Sequence, residues 1–329
     1  MPNSRTNIGE LIFYQADFRN EEVQLLDDRI QVEMDVLLWV VYRSEVTGEY
    51  ECYETSVPIT TEMDCGQNRG DEIFWAKIVP VEVQVEPRSD YDGEARMLGI
   101  DMTFSADIQI YREENCRYLK DAYSLESELV LERNQISVSQ LIMKNISKVR
   151  LMEQQQIEPR QEKILQICGS SGTITIDHIQ KREDGVLVEG ILNVHILYAT
   201  TEDEMPFAHT SGQIPFEQFV EIQNLPQDAS LWVDTKIEQL QVSLLDSTEY
   251  EIKAVLEIGM LILKKEYISN ISSIEETPMD VERLLRQPGL IGYVKKEGED
   301  LWDVAKKYHA TPENILEIGD KVLVVKQVR

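Results

Sequence analysis

Residues 186–198 read VLVEGILNVHILY, and the chain has the same pattern at residues 32–42, VEMDVLLWVVY. Laid together, Val32, Met34, Val36, Leu38, Val40 and Tyr42 fall on Val188, Gly190, Leu192, Val194, Ile196 and Tyr198, with Glu33 and Glu189 shared on the opposite face. In an extended strand successive side chains point to opposite faces, so period-two alternation of this kind predicts a half-buried β-strand written twice.

The correspondence continues past the strand. Each copy goes on with an acidic, turn-like segment and a proline beside an isoleucine, Pro58-Ile59 and Ile214-Pro215. Trp75 then meets Trp232, and Val83-Gln84-Val85 meets Leu240-Gln241-Val242. The closing apolar runs are Ile100 to Tyr111 and Ile252 to Leu263. A period this long points to duplicated domains, since solenoid repeats run to roughly 20–50 residues. The fold expected is mainly β, with two homologous β domains followed by a smaller unit.

A chain of 329 residues is long enough for two or three domains with real cores. Its 60 acidic against 32 basic residues give a formal net charge of −28. Such a surface repels nucleic acid and anionic lipid, which need clustered Lys and Arg. The N-terminal residues lack the features of a signal peptide, and no stretch is long and apolar enough for a membrane helix, so no transmembrane segment and a cytoplasmic location are expected. Cys52, Cys65, Cys116 and Cys168 are scattered without a C-x-x-C pair, which reads as reduced thiols packed as small hydrophobes.

In chain order, residues 1–29 are a lead-in and 30–125 the first β domain, with turn clusters at Gln67–Gly70 and Ser89–Gly93. Residues 126–147 are connecting strands. Residues 148–272 form the second and more complete β domain, where Gly169-Ser170-Ser171-Gly172 reads as a turn rather than a phosphate loop, since no Lys-Ser/Thr follows. Residues 273–291 read as a helical linker, capped by Thr277, started by Pro278, and lined by Met279, Val281, Leu284 and Leu285. Residues 292–329 form the last unit, in which Lys295, Lys296, Lys306, Lys307, Lys321, Lys326 and Arg329 balance seven acidic residues.

Catalytic and metal sites are not expected. His195 corresponds to Trp39 in the other copy, which argues for a packed or partly exposed ring. His178, His209 and His309 have no partner at ligand spacing. No acidic pair stands out as a general acid and base, so the reading is not an enzyme, with no cofactor.

In the tail, Tyr293-Val294-Lys295 is a predicted strand and Leu301, Val304, Ala305 and Tyr308 a helical stripe. Thr311-Pro312 then opens a second helix carrying Ile315, Leu316 and Ile318, and Gly319-Asp320 turns into Val322–Val325. This β-α-α-β string, YVKKEGEDLWDVAKKYHATPENILEI, resembles the LysM domain. The resemblance implies a module that often binds N-acetylglucosamine polymers between two loops. Here both loops depart from the family: Glu297-Gly298-Glu299-Asp300 replaces Pro-Gly-Asp-Thr, and Gly319 follows Ile318 at once. Gly298, Glu299, Asp300 and Gly319 are thus a remnant of the glycan loops, and the expectation is a LysM scaffold reused for protein binding. Trp302, Tyr293, Ile291 and Leu290 are the candidate anchors, because aromatic and apolar side chains dominate such interfaces.

The duplicated unit, through GVLVEGILNVHILY at 185–198, the Ile214-Pro215-Phe216 step and LQVSLLDSTEYEIKAVLEIGMLIL, resembles the SPOCS domain. That domain occurs with a C-terminal LysM in SipL-type proteins of spore-forming clostridia and their relatives. The resemblance implies a non-enzymatic scaffold or adaptor in spore coat assembly. It would be made in the mother cell and act at the forespore surface, docked on the coat basement-layer ATPase, stage IV sporulation protein A, or on another coat protein. The alternative is a cell-wall protein that binds peptidoglycan through its LysM-like module.

Overall fold

A computed structural model describes residues 1–2, 5–66, 72–202, 204–280, 282 and 288–325. The chain is mainly β and divides into two compact units, Met1–Glu113 with Leu141–Lys264, and Glu114–Gln140 with Lys265–Arg329.

In the larger unit, β1 (Ile8–Leu25), β2 (Arg29–Ser44) and β3 (Tyr50–Asp64) form one antiparallel sheet with β2 central. β4 (Ile73–Ser89) and β5 (Ala95–Tyr111) pair as a two-stranded sheet. The arrangement then recurs. β7 (Ile164–Arg182), β8 (Gly185–Thr200) and β9 (Phe207–Glu221) form a sheet with β8 central. β10 (Ser230–Leu244) pairs with β11 (Glu249–Pro278), whose other edge takes β6 (Ser127–Gln156).

Pairing irregularities recur too. β1 slips against β2 between Ile8 and Glu10 and again between Leu11 and Phe13, while β7 slips against β8 between Ile164 and Gln166 and between Ile167 and Gly169. The slip between Pro80 and Glu82 in β4 has its counterpart between Ile237 and Gln239 in β10. Each such bulge inserts an extra residue on one strand and bends it. The lead-in residues therefore supply β1, which stands to β2 as β7 stands to β8.

Alternation places the core. On β2, Val32, Met34, Val36, Leu38, Val40 and Tyr42 are buried, and on β8 so are Val188, Leu192, Val194, Ile196 and Tyr198. Trp39 and Val41 are buried on the other face of β2. The cause lies in β7, where a Cβ on Gly169 would stand 3.1 Å from the Trp39 ring. The Gly169–Gly172 stretch is thus a paired strand segment, Gly169 opposite Leu197 and Gly172 opposite Val194, and not the expected turn. Its two glycines leave room for Trp39 and for Ile237, whose Cδ1 would be 2.7 Å from a Cβ at Gly172.

At the same seam, Cys52 on β3 and Cys168 on β7 are joined in a disulfide with Cα atoms 5.2 Å apart. This corrects the expectation of four reduced thiols: the two residues lie 116 positions apart, and only the packing of β3 beside β7 brings them together. Arg19, also buried, donates to Asp17 (3.0 Å) and to the carbonyl of Ile237.

The smaller unit holds the last strands and the helix. Here β12 (Leu290–Val294), β14 (Lys321–Val325) and β13 (Ile315–Ile318) form an antiparallel sheet with β14 central, and α1 (Leu301–Tyr308) packs on it. The expected second α-helix is not formed. Pro312–Asn314 make a single 3-10 turn, and Ile315–Ile318 is a strand. Gly319, with φ at +67°, and Asp320 are the only residues between β13 and β14, and a two-residue connection joins antiparallel strands. The start of the expected helical linker is also strand: Thr277 and Pro278 end β11, and the Thr277 hydroxyl donates to the Glu128 carbonyl on β6, as Ser272 does to Glu132. Val281, Leu284 and Leu285 lie outside the described residues, as do the Gln67–Gly70 turn, Lys326 and Arg329.

Candidate functional site

α1 begins at a reciprocal cap, in which Asp300 accepts from the Asp303 N–H at 2.9 Å and Asp303 accepts from the Asp300 N–H at 3.1 Å. Such a box satisfies two otherwise orphaned amides. Its apolar stripe turns Val304 and Ala305 into a small core with Ala310, Ile315, Val322 and Val324, against which Ile291, Tyr293, Leu301 and Tyr308 pack.

Of the glycan-loop remnant, Gly298 sits in the turn at φ +82° and Asp300 is the cap. Glu299 turns inward on its own loop, accepting from the Lys296 N–H (2.9 Å) and the Tyr293 hydroxyl (2.7 Å). The Lys296 amide, followed by the Tyr293 hydroxyl, holds the Glu299 carboxyl below its ordinary range. Lys307 lies 4.1 Å from the centre of the Tyr293 ring. The Glu299 and Asp300 carboxylates of this loop are engaged within the module.

Trp302 points away from the small core and is 41 % exposed. Its indole N–H donates to Asp121 (3.1 Å), and its ring meets Tyr123 edge-on at 4.8 Å. Lys306, one turn on, binds the same Asp121 carboxylate at 2.8 Å, and Arg133 reaches it at 3.1 Å. Burial works to raise the Asp121 carboxyl, but the bonds from Lys306 and Trp302 outweigh it and hold it low. Tyr123 also donates to the Ala310 carbonyl at 2.9 Å. The segment from Asp121 to Ser124 is thus a strap across α1. Nothing local to Asp121 announces a partner 181 positions away, so this contact has no signal in the sequence.

The four candidate anchors do not share a surface. Ile291 and Tyr293 face the module core, Trp302 faces the strap, and Leu290 faces outward with 60 % exposure. Beside Leu290 the structure brings residues that the sequence had assigned to a helix. Leu290 pairs with Val325, and Leu316 with Leu323. Leu316 is 59 % exposed, Ile318 78 %, and Val294, Leu323 and Val325 are exposed as well. The uncovered side of this three-stranded sheet is a largely apolar face, on which Gly292 and, between Val294 and Ile318, the exposed Lys321 also lie. Lys295 and Glu317 form an ion pair at its side. A signal was present, since Val322–Val325 and Ile315–Ile318 are apolar on both faces of strands that have one helix to cover them. Patches of this kind mark sites of association on otherwise soluble surfaces.

Elsewhere, His195 is exposed on β8 between Ser171 and Ser211. Among the described residues no group of three His, Cys, Asp or Glu side chains is placed to hold a metal ion, and no helix is long and apolar enough to cross a membrane.

Residues 163–245, which span β7 to β10, match a family model described as SipL, SPOCS domain. Comparison with curated proteins and with solved structures gives no match.

Proposed function

We propose that this chain is a non-enzymatic sporulation protein, a scaffold or adaptor in spore coat assembly that carries a duplicated SPOCS-type β domain and a LysM-like tail. The observation that carries this reading is the SPOCS match over residues 163–245. The recurrence of strand order and of bulge positions in Met1–Glu113 supports the duplication. The tail is a protein-docking module, and the coat basement-layer ATPase, or another coat protein, is its partner. In support, the apolar face around Leu316 and Ile318 is exposed, while Glu299 and Asp300 of the loop are bonded within the module. The protein acts in the mother-cell cytoplasm at the forespore surface.

Peptidoglycan binding is the second reading, favoured by the strand–helix order that the tail shares with LysM. One experiment separates the two: capture from sporulating cells on the full-length chain and on Ile318→Glu and Leu316→Glu variants, together with sedimentation of each with purified peptidoglycan. Both residues are exposed, so the variants keep the fold. Loss of the coat ATPase from the variants by about tenfold or more is expected, since burying a charge at an apolar contact costs roughly 1–3 kcal/mol or more. Sedimentation of all three proteins with peptidoglycan, with no coat protein captured, favours the sugar reading.

A further inference from the structure

β5 is paired with β4 along one edge, and among the described residues no strand pairs with the other. In the recurring half, the same edge of β11 is occupied by residues 141–156 of β6. Counted from the matched bulges, Ile100, Met102, Phe104, Ala106 and Ile108 stand where Ile252, Ala254, Leu256, Ile258 and Met260 stand. The second set is fully buried and the first only half-buried.

The two edges of the β4–β5 pair are not alike. β4 carries Pro80, Pro87 and Lys77, the residues that blunt a free edge. β5 has neither proline nor lysine along its length, and its edge amides and carbonyls are left as a template. Among the described residues its start is engaged, where the Met1 ammonium donates to the Arg96 carbonyl at 2.7 Å and Arg96 donates to the Pro2 and Arg5 carbonyls.

We propose that the second edge of β5 receives an extended strand from another protein, apolar on the face turned to the core and basic on the other. β6 shows what fits such a seat. Met143, Val149 and Leu151 face the core, while Lys144, Lys148 and Arg150 alternate with them on the exposed face. The outer row of β5 carries Asp107 and Asp101, the latter paired with Arg88 of β4 at 3.2 Å, in a chain whose net charge is −28. A second copy of this chain would bring like-charged rows and a like-charged body together, so the occupant is a basic partner. This surface is separate from the apolar face of the tail, and the proposal does not rest on the reading of the tail or on sporulation.

The probe is a labelled peptide of sequence LIMKNISKVRLMEQQQ, titrated into the full-length protein, with hydrogen exchange read in the free and bound states. Saturable binding is expected, with exchange slowed in β5 and unchanged in β11. Two further peptides, N-methylated on alternate sets of amides, test strand addition directly. Only every second amide of an added strand points at its neighbour, so one set should abolish binding and the other spare it. Absence of binding, slowed exchange outside β5, or equal effects of the two methylated peptides would overturn the proposal. So would a dimer of the unliganded protein whose β5 amides are already protected, since the occupant would then be a second copy.

Discussion

The two halves of the larger unit share the order of their first three strands and three bulge positions but are not equally well covered. From β7 to β11 the buried residues make one joined cluster that runs from Ile164 to Ile262. From β1 to β5 they fall into two small groups, one around Leu38, Val40 and Tyr42, the other around Ile30, Val32 and Met34. The difference follows from one strand. β6 lays Met143, Val149 and Leu151 against β11 and its neighbours, and β5 has no such cover among the described residues. Equal patterning therefore does not give equal burial: alternation decides which side chains point inward, and the number of layers decides how much water they lose.

The largest effect is expected when the same change is made in both halves. Ile252→Ala removes methyl and methylene groups from a fully buried site and should cost about 4 kcal/mol, whereas Ile100→Ala at its half-buried counterpart should cost about 2 kcal/mol. Urea denaturation of each variant measures this, and equal losses would show that β5 is as well packed as β11. Next in size is the disulfide. Reducing Cys52–Cys168, which closes a long loop, should lower stability by roughly 3 kcal/mol. Hydrogen exchange should rise more in β1–β3 than in β8 and β9, because the less covered half relies more on the link.

The smallest effect distinguishes two matched tyrosines. Tyr42 donates to the Glu51 carboxylate at 2.8 Å, whereas Tyr198 donates to the backbone carbonyl of Glu162 at 3.2 Å. Burial, then the bond to Glu51, pushes Tyr42 up to about 12. Burial works to raise Glu51 itself, but the hydroxyls of Thr6 and Tyr42 prevail and hold it low. A depressed carboxyl contributes stability above its unfolded value, lost as the pH falls through the folded one. Acid titration should thus loosen β2–β3 before β8–β9, with Glu51→Gln flattening the difference by about 1 kcal/mol or less. Exchange rates of the two strand pairs from pH 6 to 3 provide the check.

Much of this was legible in the sequence, and what was not has a common cause. The alternation from Val32 to Tyr42 and from Val186 to Tyr198 is a local code, so β2 and β8 could be read directly. Trp75 and Trp232 marked the same position in the two copies, though not the strands β4 and β10 that carry them. Gly169 and Gly172 could not be read, since their absent side chains answer to Trp39 and Ile237 far along the chain. The pairing of Cys52 with Cys168 and of Asp121 with Trp302 is non-local in the same way. At Ile315–Ile318 the failure was different: a proline-glutamate start suggested a helix, while the two-residue Gly319-Asp320 turn committed the same residues to a hairpin. That misreading hid Leu316 and Ile318, and with them the apolar face.

The strap also has a timetable. Asp121 is synthesised 181 residues before Trp302. At roughly 5–20 residues per second, its partner arrives on the order of 10–40 s later. The β13–β14 hairpin needs only about 1–10 μs once its residues are free. The tail thus finishes its own sheet almost at once, while Asp121 and Tyr123 wait through more than half of translation without the helix they bind. Any factor that attends this chain during synthesis has its longest opportunity at that segment.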